Sequence, residues 1–347
     1  MRIGAGFMAL LFFIALLLAG LFLYSAWTAW RTAALFPPSG EFVDLDGEFE
    51  GMRLHYVSRG EAREGIAPVV LIHGASGNLR DMEESLVPEL AKHTRVVAFD
   101  RPGHGWSGRG RHPDISNPAV QARAIRAAAA KLGVEKPVVL GHSWGASVAA
   151  AWALDAPETL SGLLPLAGAL YPWPGGVAWY HSVVRTPLAG AIFLRTLTVP
   201  GGKLLAEKGV AGNFHPNPAP DAYAERIGLS LLFRPSHFRA NSEDTSNLKP
   251  YLARQSAGYE RISVPVIVVT GNADYTVSPK LHSYAFHNAV RGSELVKLKG
   301  TGHMPHHARR DIVVDAVLRL ARGERPRAGQ VTIHEDGRVE FAPAAGR

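Results

Sequence analysis

The sequence predicts an α/β fold: a mostly parallel sheet with helices on both faces, a helical insertion, and one apolar helix ahead of it. Three observations carry this. Short apolar runs such as Val69–Ile72, Val138–Leu140 and Val264–Thr270 have the length and β-branched content of buried strands. One of them, Pro137–Leu140, runs through a Gly-rich turn straight into the small-residue helix Ala146–Leu154. And from Ile3 to Trp30 there is no charged residue.

The elements follow in order. Phe7 to Tyr24 is almost wholly Leu, Phe, Ile, Ala and Met, long enough to span a bilayer as a helix. Tyr24, Trp27 and Trp30 fall at its exit, where interfacial aromatics belong. A cleaved signal peptide has a shorter apolar core and small residues at its cleavage site; here Trp27 and Trp30 stand there instead. Residues 1–31 are therefore expected to be an uncleaved single-pass membrane anchor. Arg2 and the amino terminus precede it and Arg31 follows. The expected orientation puts the large domain on the periplasmic or extracytoplasmic side.

Downstream, Gly141-His142-Ser143-Trp144-Gly145 is a G-x-S-x-G pentapeptide set between a strand and a helix. That is the context of a nucleophile elbow, where the tip backbone is strained and the helix N-terminus aims N–H groups at a developing oxyanion. The run Val264–Thr270 ends in Gly271-Asn272-Ala273-Asp274, and Glu294–Leu298 ends in a loop holding Gly302-His303-Met304. Ser143, Asp274 and His303 thus share the carboxyl edge of the sheet, where ligands of open α/β sheets bind. Asp274 has a simpler reading as a turn former. His306 and His307 compete with His303 but do not directly follow the strand-end glycine. His73, His104, His142 and Asp100 read as structural. The histidines near 303 invite a metal, but no H-E-x-x-H pattern or Cys ligand set accompanies them, so none is expected.

With these motifs in place, the chain resembles the α/β-hydrolase superfamily over residues 41–322. Val69–Gly77 is similar to its strand 3 and His-Gly oxyanion loop, and Arg95–Ser107 to its strand 4 edge loop. The chain order Ser, acid, His matches. The resemblance implies an eight-stranded sheet, Ser143 as nucleophile, His303 as general base and Asp274 as its orienting acid. It implies an oxyanion hole from the backbone N–H groups of Ala75 and Trp144, with Trp106, Tyr275 and Met304 as candidate substrate-pocket residues and no cofactor. Ser at the elbow argues against the epoxide-hydrolase and dehalogenase branches, which use Asp there. The expected chemistry is hydrolysis of a carboxylic ester or related acyl substrate. C–C bond hydrolysis, lactone hydrolysis, perhydrolysis, or binding by an inactive triad stay open.

Residues 171–257 are the expected cap. They hold nine Lys/Arg against five Asp/Glu and many aromatics, such as Trp179, Phe193 and Phe233. An apolar acyl substrate admitted near the bilayer fits this composition. Residues 323–347 form a tail in which Val331–Phe341 alternates around Asp336-Gly337, a hairpin signal. The net charge of +7 suits an anionic membrane surface. No Lys/Arg cluster interleaves with aromatics, so nucleic acid is not an expected partner. The 347 residues contain no Cys, which excludes disulfides, thiolate metal sites and a Cys nucleophile.

Overall fold

The computed structural model describes residues 2–344; Met1, at the head of the expected anchor, and the last three residues of the tail lie outside them. The first element is α1 (Arg2–Leu35), a 34-residue helix. It is long and apolar enough to cross a membrane and is a candidate anchor.

Among the described residues, ten strands form one sheet: β1 (Glu41–Asp44), β2 (Arg53–Arg59), β3 (Val69–Ile72), β4 (Val96–Phe99), β5 (Val138–His142), β6 (Gly162–Leu166), β7 (Ile267–Gly271), β8 (Glu294–Leu298), β9 (Gly329–Ile333) and β10 (Val339–Pro343). Their spatial order is β1-β2-β4-β3-β5-β6-β7-β8-β9-β10. From β4 to β9 all neighbours are parallel; β1, β2 and β10 join antiparallel. The central strands are buried on both faces, which is why they read as continuous apolar runs. Alternate residues serve two cores. Val70, Ile72, Val97, Phe99 and Val139 face one cluster, and Val69, Leu71, Val96, Ala98 and Leu140 face the other.

The strand count corrects the expected eight. The surplus pair is the tail: β9 lies parallel beside β8 with Gly329 opposite Glu294, and β10 returns through Asp336-Gly337. Val331 and Ile333 bury their side chains in the core. Glu294 pins the junction, accepting from Arg319 at 2.8 and 2.7 Å and from the Arg327 backbone N–H at 2.7 Å. The hairpin pattern by itself does not say whether it joins a sheet; the parallel register with β8 is a long-range pairing that alternation cannot announce.

The helices cover the sheet as α2 (Arg80–Ser85), α3 (Val87–Leu90), α4 (Pro118–Lys131) and α5 (Trp144–Asp155), and later α11 (Ala285–Ala289), α12 (Pro305–Ala308) and α13 (Arg310–Ala321). Asn117 caps α4 by accepting from the Ala119 N–H, with Pro118 at the first position. Between β6 and β7 stands the cap: α6 (Trp179–Val184), α7 (Pro187–Thr196), α8 (Thr198–Phe214), α9 (Tyr223–Arg226) and α10 (Pro235–Gln255).

Candidate active site

Ser143 occupies the tight turn between β5 and α5 at φ 52° and ψ −116°, outside the regions an L-residue prefers. The turn closes only because its neighbours lack side chains. A Cβ on Gly145 would stand 2.4 Å from the Ile72 carbonyl oxygen, and one on Gly141 2.2 Å from that of Gly145. The strain is held by the Ser143 N–H donating to the Leu166 carbonyl (3.0 Å) and by the Ala146 and Ala169 N–H groups donating to the Ser143 carbonyl.

The loop after β8 brings His303 to this tip, with Nε2 3.0 Å from Ser143 Oγ. Its Nδ1 lies 2.7 Å from Asp274 Oδ2. A proton on Nδ1 donated to the carboxylate leaves the Nε2 lone pair facing the serine hydroxyl. Asp274 is itself fixed: its other oxygen accepts from the Thr276 and Val277 N–H groups, both at 2.8 Å. The turn-former and the triad-acid readings of Asp274 are therefore compatible, one per oxygen. All three side chains are buried.

Trp144 begins α5 and Ala75 follows β3. Among the described residues, neither backbone N–H donates a hydrogen bond within the protein. Ala75 lines the cavity beside Ser143. Below, the Trp144 ring is covered by Arg101, whose guanidinium carbon sits 4.1 Å from the ring centre. Arg101 is buried and pairs with Asp244 of α10 at 2.7 Å. Burial lowers the Arg101 pKa to about 10 despite that partner.

The cavity over Ser143 and His303 has a volume of about 700 Å³. Ser143, His303 and Met304 form its floor, and its walls come mainly from the cap, among them Leu204, Val210, Phe214, Ile227 and Phe233. Two predicted pocket residues are elsewhere. Trp106 is turned away, its indole N–H donating to the Phe36 carbonyl (3.0 Å) and its ring stacked by Arg234. Tyr275 is 79% exposed and rests on His215. Both stand on strand-end loops, but Phe36 and Arg234 hold the first away from the cavity and the second lies in solvent beside His215.

Asp81 on α2 was not singled out by the sequence. It is buried beside the floor and accepts hydrogen bonds from His306 Nε2 (2.9 Å), His307 Nε2 (2.8 Å) and the Tyr223 hydroxyl (2.8 Å). Burial would raise its carboxyl, yet the two imidazoles hold it well below the usual carboxylate range. The histidine pair is therefore a polar support under the elbow; its need of a buried acid was the only signal. His142 packs on His306 and faces the His303 carbonyl through Nε2 (2.9 Å); burial keeps it neutral. Asp81, His142 and His306 stand close enough to admit a cation, but Asp81 already accepts three hydrogen bonds. Asp100 binds His55 and the Leu79 and Trp106 N–H groups, a loop-ordering role.

The fold, elbow and loop order define a class, and residues 67–309 match the model of the α/β hydrolase fold. The chain belongs to that family. It is 27% identical to an uncharacterised protein of Mycobacterium bovis over 82% of this chain and 81% of that one. It is 26% identical to a pimeloyl-[acyl-carrier protein] methyl ester esterase of Neisseria meningitidis, over 70% and 88%. A 36% match to an acetyltransferase component of the acetoin cleaving system of Cupriavidus necator spans only 34% of this chain and 29% of that protein. Over 34% and 35% of this chain, it also matches a soluble epoxide hydrolase of a Corynebacterium and a 2-hydroxy-6-oxononadienedioate/2-hydroxy-6-oxononatrienedioate hydrolase of Pseudomonas putida. Among solved structures, a membrane phospholipase A superposes with a TM-score of 0.57 at 19% identity, covering 93% of this chain and 98% of that one.

Proposed function

We propose that this protein is a serine hydrolase that cleaves a carboxylic ester with an apolar acyl part, tethered to a membrane by α1. The observation that carries the reading is the connected set Ser143 Oγ, His303 Nε2 and Nδ1, and Asp274 Oδ2, at 3.0 and 2.7 Å, opening into a cavity walled by cap aliphatics and aromatics. Ser143 Oγ attacks the ester carbonyl carbon as its proton passes to His303 Nε2. The carbonyl oxygen becomes an oxyanion between the Ala75 and Trp144 N–H groups; each such donor is worth about 3–4 kcal/mol of barrier. The intermediate collapses, the C–O bond to the alcohol breaks, and His303 returns the proton to the leaving oxygen. Water then repeats the sequence on the acyl-enzyme and frees the acid. Asp274 stays ionised and steadies the imidazolium. A Ser nucleophile forms an acyl ester, which favours this over epoxide opening despite the epoxide-hydrolase relative.

The domain is proposed to lie on the extracytoplasmic side, with Arg2, ahead of the apolar span, on the cytoplasmic side.

The test is labelling with a fluorophosphonate, read by intact mass, on the wild type and Ser143→Ala. One adduct on the wild type and none on the variant is expected, with ester turnover down by about 10⁴-fold or more. An adduct on Ser143→Ala, or none on folded wild type, overturns the assignment.

A further inference from the structure

The outer corner of the cap, where α7 meets α8, combines three features that belong together. The first is its height along α1. A hydrocarbon core of ~30 Å takes about 20 helical residues, which from Phe7 end near Ala26. Phe7 to Leu17 are exposed on every side, but from Leu18 one stripe, with Leu21, Ser25, Thr28 and Thr32, is shielded. The elements packed on it are α7, α8 and the turn Leu229–Phe233. Ser25 donates to the Thr196 carbonyl (3.4 Å) and Lys203 to the Tyr24 hydroxyl (3.1 Å). The last ~13 Å of the apolar span therefore runs beside the cap rather than below it.

The second feature is the surface of that corner. Leu188 and Leu204 are 75% and 82% exposed, and Ile192, Leu197 and Leu205 also face outward. A contiguous exposed apolar patch marks an interaction surface, unlike scattered single residues. Arg185, Arg195, Lys203 and Lys208 are exposed on or next to the two helices, whose only acid is Glu207. Basic side chains at this height match anionic headgroups. The third feature is the cavity: Leu197, Leu204 and Leu205 line it and are exposed as well, so its mouth lies within the patch.

We propose that the α7–α8 corner sits in the bilayer beside α1 and that the cavity opens into the lipid, so that a long-chain acyl lipid enters from the membrane with its chain along α8 and its ester at Ser143. The substrate class rests on the ester-hydrolase reading; the membrane seat does not.

The chain has no Cys, so single-site labels are clean. Full-length Leu188→Cys and Leu204→Cys, and Glu135→Cys on the opposite side as control, are labelled with an environment-sensitive fluorophore. They are reconstituted in phosphatidylcholine/phosphatidylglycerol vesicles with and without spin-labelled lipids. Quenching at 188 and 204 but not at 135 is expected; equal, weak quenching at all three overturns the seat. In parallel, Leu188→Glu/Ile192→Glu, whose side chains do not line the cavity, is assayed on vesicle-borne phosphatidylglycerol and on soluble p-nitrophenyl butyrate. A loss of tenfold or more on the lipid with the soluble rate within twofold is expected. An unchanged lipid rate, or an equal fall in both rates, overturns entry from the membrane. Wild type that is quenched as expected but cleaves neither ester refutes the hydrolase reading and leaves the seat standing.

Discussion

Replacing Asp244 by Ala tests whether the cap is structurally joined to the nucleophile elbow. Asp244 Oδ2 accepts from Arg101 Nη1 (2.7 Å) and Gln121 Nε2 (3.0 Å), and both members of the ion pair are wholly buried. Without the carboxylate, Arg101 keeps Gln121 and His104 as neutral acceptors but no counter-charge nearer than Asp100. Removing one member of a buried pair costs about 3–5 kcal/mol, because the other charge is left uncompensated. At about 2 °C per kcal/mol for a large domain, the melting temperature should fall by roughly 6–10 °C. Tryptophan fluorescence of the detergent-solubilised protein reads this directly. The double replacement Arg101→Met/Asp244→Leu should recover much of the loss, since the buried Arg101 charge is gone and Arg109, which also pairs with Asp244 at 2.7 Å, keeps Glu243 at 3.2 Å. A single variant melting within about 2 °C of wild type, or a double variant less stable than the single, would refute the argument that burial makes this pair costly to break.

Two further outcomes are expected. His73 and His237 are held neutral by burial, with pKa values pushed down to about 4 and about 3. Unfolded histidine titrates near 6.5, so the stabilising preference for the neutral ring is complete above that pH and is lost as pH falls toward those values. Each residue contributes a slope of about 1.4 kcal/mol per pH unit between. A urea midpoint that holds from pH 7 down to pH 4.5 would contradict it, and His237→Gln should flatten the slope. Truncation after Ala328 removes β9 and β10, bares the β8 edge and uncovers the face that Val331 and Ile333 cover; loss of solubility or aggregation on mild warming is expected by light scattering.

The parts of the site legible in the sequence are those whose local chemistry is self-sufficient. Gly141 and Gly145 flank Ser143 because that turn tolerates nothing larger, so the elbow announces itself in five residues. Asp274 and His303 each stand on a strand-end loop, and parallel strands deliver such loops to one edge whatever their separation in sequence. What escaped the sequence depends on distant partners. Asp81 is an ordinary first-turn helix acid until α12 sets His306 and His307 on it, some 225 residues later. Trp106 and Tyr275 follow the correct loops, but the direction of a side chain there is decided by Phe36, Arg234 and His215. β9 reads in the sequence only as one arm of a tail hairpin, because its pairing with β8 has no local signature.

The distribution of polar contacts across the cap suggests how a tightly packed catalytic edge and an apolar outer corner coexist. On its inner side the cap is tied by specific hydrogen bonds: Asn241 accepts from the Ser76 N–H (2.7 Å), Asn78 donates to the Ile227 carbonyl (2.9 Å), Tyr223 donates to Asp81, and the Trp144 indole donates to the Asp244 carbonyl (3.3 Å). Each is directional and buried or part-buried, so α9 and α10 are held in register with the loop that carries Ala75 and the start of α5 at Trp144. The α7–α8 corner has few such ties, and its outward Leu188, Ile192, Leu197, Leu204 and Leu205 side chains offer water no hydrogen bonds. Exchanging water for lipid there would disturb no polar contact of the inner cap, so a membrane seat can coexist with fixed positions for the Ala75 and Trp144 N–H groups. The same division predicts where substitutions will act: charges on the corner should change how lipid arrives, and changes at Asp81, Asn241 or Asp244 should change what happens at Ser143.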